Sequence, residues 1–402
     1  CANGTDALQL AFMALGVGEG DAVFAPDMTF ISSTEPAAMF GAVSVFCDIT
    51  PDTYNLDPAS LERQIKAVLA EGKYTPKAVV AVDILGNPCD YDAVSAVCEQ
   101  YGLALIEDAA QSFGAEYHGK KAGSFGRIAT TSFFPAKPLG CYGDGGAVFT
   151  DDDALNDLIR SLCVHGKGPG GKYDNIRVGM NSRLDNLQAA VLLPKLKALA
   201  DYETAARQTA AFAGKFTTPF VAEGCLSVWA QYALLAEDTK QRDRVIARLT
   251  EKGIPNMVYY PTPQHALPVF RDEPTYGETF RNANDYCART FSLPMHPYLT
   301  EAEQETVIAA VLEALRVRVS GRYFAAGGRF LQVSLCHRAG ADRIFNISGA
   351  GKVFACAVRK YRRFLCAVYA GTGGSDPGAV GCICMPPAKS GAFYHSQRAV
   401  EG

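Results

Sequence analysis

No stretch of this 402-residue chain approaches the roughly 18 uninterrupted apolar residues that a membrane-crossing helix needs. That argues against a helical anchor and a membrane partner. The N-terminus has no basic region followed by an apolar run, so no secretory leader is read there and a cytoplasmic location is expected. An initiator Met is missing too: Cys1 opens the chain almost on top of a Gly-Thr loop, and a truncated front is the expectation. The 13 cysteines lack the dense, paired spacing of a disulfide scaffold or a zinc site, and are read as reduced, mostly buried thiols. The one tight pair, Cys382 and Cys384, has no second pair to complete a ligand cage, so no metal is expected.

Charge is modest in amount and uneven in place. Residues 317–402 carry twelve Lys and Arg against three Asp and Glu, a balance of +9; the net charge of −4 therefore leaves −13 on residues 1–316. An acidic main body argues against a nucleic-acid partner. The basic tail holds 13 glycines in its 86 residues, and its helical and strand periods fade. It reads either as a third domain of unusual composition or, preferably, as sequence never selected to fold with the rest.

The first 190 residues alternate short apolar runs with helical patterns, as a doubly wound α/β domain does. The runs 21–25, 43–46, 78–82 and 103–106 each end at a polar or breaker residue. Helical stretches are expected over 6–15, 32–40, 57–70 and 90–101. A long helix over 183–200, kinked at Pro194, leads into a smaller domain with helices at 239–252 and 300–316 and a strand at 258–260. In such sheets ligands gather beyond the carboxyl ends of the strands.

The residues after those ends carry the chemistry. Asn3-Gly4-Thr5-Asp6 precedes a helix and offers backbone N–H groups and a hydroxyl to an anion, although many helices begin this way as plain caps. Asp108 follows an apolar strand in Ile106-Glu-Asp-Ala-Ala-Gln-Ser-Phe-Gly114, where a carboxylate is costly unless it meets a cation. A pyridinium N–H is such a partner, and an N-cap role is the alternative. Gln111 shares the same turn. In Thr131-Ser-Phe-Phe-Pro-Ala-Lys-Pro-Leu-Gly-Cys-Tyr-Gly-Asp-Gly-Gly146, Lys137 lies between two prolines in an apolar stretch before a glycine-dense loop. Burial there favours a neutral amine, the form that condenses with an aldehyde. Ser132 is positioned to meet a phosphate. Together these are what an enzyme dependent on pyridoxal phosphate requires.

Five segments, Cys1-Ala-Asn-Gly-Thr-Asp-Ala-Leu8, Ile106–Ser112, Ser132–Gly140, Asn181-Ser-Arg-Leu184 and Tyr260-Pro-x-Pro-x-His265, closely resemble the DegT/StrS family of sugar aminotransferases. The likeness covers residues 1 to about 316 and implies a fold-type I aminotransferase: α/β, with a large domain of mixed, mostly parallel sheet (1–190) and a smaller C-terminal α/β domain (191–316). It implies Lys137 as the lysine that carries the cofactor, Asp108 on its ring nitrogen, Gln111 near its phenolic oxygen, and Gly4, Thr5 and Ser132 at its phosphate. It further implies a homodimer with shared active sites, Asn181 reaching the neighbouring subunit's cofactor. Phe30 resembles the family's ring-stacking aromatic, with an ordinary core Phe as the alternative. Arg183 suits either a substrate carboxylate or an interface salt bridge. Tyr260 and His265 suit sugar hydroxyls, or His265 only backbone carbonyls; His296 is expected to be structural. The motifs are most similar to enzymes that move an amino group from glutamate to C3 of a UDP-linked 3-keto-glucuronic acid derivative in bacterial surface-polysaccharide (lipopolysaccharide O-antigen) synthesis. A 4-aminotransferase on a GDP- or TDP-keto-sugar and an inactive truncated remnant are the rivals.

Overall fold

Apolar runs that end in a polar residue form the strands of a six-stranded sheet. The computed structural model describes residues 1–201 and 218–315, together with four strands between 322 and 356. The chain divides into two compact units, Cys1–Val311 and Leu312–Gly402. In the first, α1 (Gly4–Leu15) precedes β1 (Asp21–Pro26), α2 (Glu35–Met39), β2 (Val43–Cys47), α3 (Pro58–Glu71), β3 (Thr75–Val82), α4 (Tyr91–Tyr101) and β4 (Ala104–Asp108). The short β5 (Glu116–Tyr117) and β6 (Lys120–Lys121) lead to β7 (Ile128–Ser132) and β8 (Gly146–Phe149), then α5 (Asp153–Leu162) and α6 (Asn186–Lys197). The sheet order is β2-β1-β3-β4-β7-β8, parallel except for the β7–β8 pair.

Its strands are buried on both faces, as parallel strands under helices must be. Side chains alternate between two cores: Val23, Val80, Val82 and Ile106 pack on the face of α1 and α5, while Phe24, Val79, Ala81 and Leu105 pack on that of α3 and α4. Helix ends follow local chemistry. Asp57 and Asp90 accept hydrogen bonds from first-turn N–H groups of α3 and α4, and Gly72 and Gly102 take left-handed conformations just past their ends.

The remainder of this unit holds a two-stranded antiparallel sheet, Tyr232–Leu235 with Thr290–Leu293, helices Thr239–Glu251 and Arg281–Arg289, and the greater part of a helix Glu301–Leu315. Three expectations are corrected. The stretch 32–40 is a 3-10 turn, Ile31–Ser33, followed by the short α2, the chain breaking at Thr34 before Pro36. The helix expected from 183 starts at Asn186, with Asp185 at its cap position. Residues 258–260 form no strand; only Met257 bridges to Ser292, and Pro261 and Pro263 have no N–H to extend a ladder. The second unit contains an antiparallel meander of Arg322–Ala325, Arg329–Arg338, Ala341–Gly349 and Lys352–Cys356. Cys382 and Cys384 lie outside the described residues.

Candidate active site

The carboxyl ends of β1, β3, β4 and β7 share one edge of the sheet, and polar residues collect there. Asp108 closes β4, opposite Val82 and Thr130. Its Oδ2 accepts from Ser33 Oγ at 2.8 Å and its Oδ1 from the Ala110 N–H at 3.2 Å. Ser33 Oγ also lies 2.8 Å from Thr29 Oγ1. Among the described residues no cationic side chain forms a salt bridge with Asp108. Burial pushes its carboxyl pKa up, and the Ser33 and Ala110 donors and the Lys137 charge only partly oppose that.

Residues 133–145 turn β7 back into β8, with Ser132 opposite Gly146. Lys137 sits in this turn, its N–H donating to the Phe134 carbonyl at 2.8 Å. The turn is tied down at its far end, where Lys195 Nζ donates to the Gly140 carbonyl at 2.6 Å. Lys137 is half-buried and makes no salt bridge among the described residues. Burial lowers its pKa, opposed by the Asp108 carboxylate. An amine biased toward neutrality and a carboxylate biased toward a proton thus lie close enough to feel each other's charge. The glycines of the turn are required by packing: a Cβ on Gly145 would sit 2.9 Å from Leu184 Cδ1, and one on Gly146 would strike the Asn3 carbonyl.

Asn3 Oδ1 accepts from the Asp6 N–H at 2.8 Å, making Asn3 the cap of α1 and leaving Gly4 and Thr5 in its first turn. Gly4 packs directly on Ser132: a Cβ would lie 2.6 Å from Ser132 Cβ. Gly4, Thr5 and Ser132 therefore converge at a helix N-terminus, a setting suited to an anion. Ser132 Oγ also accepts from the Phe134 N–H at 3.3 Å. Gln111 Oε1 accepts from the Leu85 N–H at 2.7 Å, and since a backbone amide only donates, this fixes the orientation of the side-chain amide. Its Nε2 donates to Tyr260 Oη at 3.1 Å. Tyr260 in turn lies 6.1 Å from Phe30, ring centre to ring centre. Phe30 is 51 % exposed, which rules out an ordinary core position.

Three expected residues stand apart from that cluster or are engaged elsewhere. Asn181 and Arg183 are both exposed, flanking buried Ser182. His265 is bolted to Asp27 rather than to backbone carbonyls: its N–H donates to Asp27 Oδ1 at 2.8 Å, and Nδ1 lies 2.6 Å from Oδ2. Its ring stacks on Phe280 at 4.3 Å. Burial raises the Asp27 pKa, and the His265 hydrogen bonds pull it back. His296 lines a cavity of about 400 Å³ together with Lys137, Lys195, Trp229 and Tyr298. The sequence analysis missed Ser33, Thr29 and Asp27. All three follow β1, so a search beyond that strand's end would have found them; as isolated polar residues they carry no motif.

Known proteins resemble this chain over most of its length. Residues 1–312 match the family described as DegT/DnrJ/EryC1/StrS aminotransferases. The chain is 45 % identical to the UDP-2-acetamido-2-deoxy-3-oxo-D-glucuronate aminotransferase of Pseudomonas aeruginosa, over 77 % of this chain and 84 % of that one. It is 37 % identical to the GDP-perosamine synthase of Caulobacter vibrioides, over 78 % and 85 %. Among solved structures, a family aminotransferase from Brucella abortus superposes with a TM-score of 0.75 at 44 % identity, covering 77 % of this chain and 84 % of that one.

Proposed function

The chain belongs to the DegT/DnrJ/EryC1/StrS aminotransferase family, and from that premise we propose that it moves an amino group from glutamate to a nucleotide-linked keto-sugar, with pyridoxal phosphate carried on Lys137. The observation that carries this reading is the pairing of a half-buried, salt-bridge-free amine with a buried carboxylate that lacks a cation. A protonated ring nitrogen is the cation that Asp108 wants. The residues fit the rest of the cofactor as well, since Gly4 approaches Ser132 so closely that only a glycine fits there.

The protein's own groups then have distinct tasks. The N–H groups at the start of α1, with Thr5 and Ser132, hold the phosphate. Asp108 keeps the ring nitrogen protonated, and Ser33 holds Asp108 in place. Gln111 has one amide hydrogen beyond its bond to Tyr260 that would serve the phenolic oxygen, and Phe30 would stack on the ring. When bound, the cofactor supplies an electron sink for charge that develops at the donor's α-carbon. Lys137 would carry the cofactor and, as a neutral amine, would be the group that moves the donor's α-proton.

The preferred acceptor is a UDP-linked 3-keto-glucuronic acid derivative, in surface-polysaccharide synthesis. Its support is the 45 % identity to a relative named for that chemistry and the exposed Arg183, a guanidinium able to grip a uronate or glutamate carboxylate at two points. Tyr260 and His265 are assigned to sugar hydroxyls. A homodimer is proposed from the exposed apolar side chains of Tyr173, Val178, Leu187 and Leu193, and places Asn181 at the neighbouring subunit's cofactor phosphate. The unpaired thiols among the described residues suit a reducing, cytoplasmic setting. No helix among the described residues is long and apolar enough to cross a membrane.

Borohydride reduction of the protein with its cofactor, followed by peptide mapping, tests the tether: the adduct is expected at Lys137, and an adduct elsewhere overturns the assignment. Mass-spectrometric amine transfer against UDP-, GDP- and TDP-linked keto-sugars tests the acceptor. Amination of only GDP- or TDP-linked 4-keto-sugars would replace the preferred substrate, and no product from any of them would leave a non-catalytic remnant.

A further inference from the structure

Behind Asp108, on the opposite face of the sheet, lie two carboxyl groups with no part in the chemistry above. The register pairs Ala81 with Glu107 and Val82 with Asp108. Strand alternation therefore puts Glu107 and Asp83 on one face and Asp108 on the other. Asp83 and Glu107 are fully buried. Asp83 Oδ1 accepts from the Cys89 N–H at 2.8 Å and Tyr91 Oη at 2.6 Å, and Oδ2 from Ser112 Oγ at 2.7 Å. Glu107 accepts from the N–H groups of Gly123 at 2.6 Å and Phe125 at 2.7 Å. The Tyr91 and Phe125 rings stack at 4.2 Å, so the two elements that supply donors are also packed on each other.

Neither carboxyl has a cationic partner among the described residues. The titratable groups facing them are Tyr91, Cys89 and Cys225, whose own pKa values burial raises, and Asp108, on the other face of the sheet, adds only further negative charge. Two adjacent charges without a cation in such a site are far costlier than one charge and one proton. We propose that Asp83 and Glu107 share a single proton, and that this proton-bearing pair is the positioning device for the cofactor-binding segment 108–112. The segment is held at both ends: the Asp83 N–H donates to the Asp108 carbonyl at 3.2 Å, and the Asp83 carboxylate anchors Ser112. Gln111 is held by Leu85, two residues beyond Asp83. Loss of the proton sets two negative charges against each other across β3 and β4 and loosens Asp108 and Gln111 together.

The proposal rests on the cofactor assignment for its consequence but not for the proton, and the test separates the two. Burial and the Asp83 charge raise the Glu107 pKa to about 9. Infrared difference spectra of the cofactor-free protein against Glu107→Gln, at neutral pH, should show the carbonyl stretch of a protonated carboxyl in the parent protein only. On the cofactor-loaded protein, Glu107→Gln should keep cofactor affinity within about twofold at pH 7 and abolish the fall in affinity that the parent shows as pH rises through about 9. Glu107→Ala should bind the cofactor at least about tenfold more weakly, and Glu107→Gln serves as its rescue. The absence of a protonated-carboxyl band, or an alkaline fall shared by the parent and Glu107→Gln, overturns the proposal. A clear band with no cofactor binding by any of the proteins would instead sink the cofactor assignment.

Discussion

At the scale of single residues, burial and reactivity at Asp108 pull in opposite directions. Its folded pKa is raised above the unfolded value. The group therefore favours folding most at pH below its unfolded value, and that contribution is lost as pH rises through the folded value. In the cofactor-free fold Asp108 is a buried carboxyl with no salt-bridge partner among the described residues. Asp108→Ala is accordingly expected to raise the cofactor-free melting temperature by about 1–3 °C while lowering turnover by roughly 10²–10³-fold through loss of the ring-nitrogen partner. Paired melting and amine-transfer measurements check this; a variant that is less stable and fully active would refute it. Lys137, Asp108 and the Gly-Thr pair stood out in the sequence because the chemistry proposed for them leaves a dense local signature. Ser33 was not, because a serine earns its place only through what faces it, here a carboxylate 75 positions away in the chain.

At the scale of elements, the site is a junction between the start of α1 and the β7–β8 turn. Gly4→Ala would press a methyl group onto Ser132 Cβ, at 2.6 Å, and must push the helix away from the strand. Overpacking of this kind costs about 1–3 kcal/mol, and cofactor affinity measured by titration is expected to fall about tenfold or more. Gly18→Ala is the control. Its Cβ would meet nothing closer than the Phe40 carbonyl at 4.0 Å, and affinity should not change. The α6 helix supplies a second test. Leu187 is 81 % exposed, and Leu187→Asp should convert a sedimenting dimer to a monomer and weaken the cofactor site that Asn181 is proposed to complete. A parent chain that sediments as a monomer would remove the dimer from the proposal. Strand ends and helix caps were readable to within a few residues from apolar runs, aspartates and glycines. Residues 258–260 misled because two β-prone tyrosines look the same in a strand as in a loop whose partners are distant; only the Gln111 amide shows what Tyr260 serves.

At the scale of the whole molecule, the buried acids set the response to pH. Asp27, Asp108 and Glu273 have raised pKa values, Asp83 is raised to about 6 and Glu107 to about 9, in each case chiefly by burial. Each such group favours folding when protonated, so the cofactor-free protein is expected to lose stability as pH rises from the unfolded carboxyl value, about 4, through about 9. Glu278, whose pKa is lowered, contributes in the opposite sense only at more acidic pH. Urea midpoints that rise steadily across the alkaline range would contradict this account. Asp27→Ala tests the tie between β1 and the His265 loop. It strands a backbone N–H and a ring nitrogen, and a loss of about 2–3 kcal/mol is expected in the same urea experiment. The sequence alone determined the α/β class and the succession of core strands along the chain, and it singled out the lysine proposed to carry the cofactor, because apolar period and local motif are properties of neighbouring residues. Tertiary structure alone decided that Asp108 has no salt-bridge partner among the described residues, that His265 is anchored on Asp27 and that Asp83 and Glu107 share the opposite face of the sheet. Charge, burial and hydrogen-bond supply depend on which strands lie side by side, and no local stretch of chain records that.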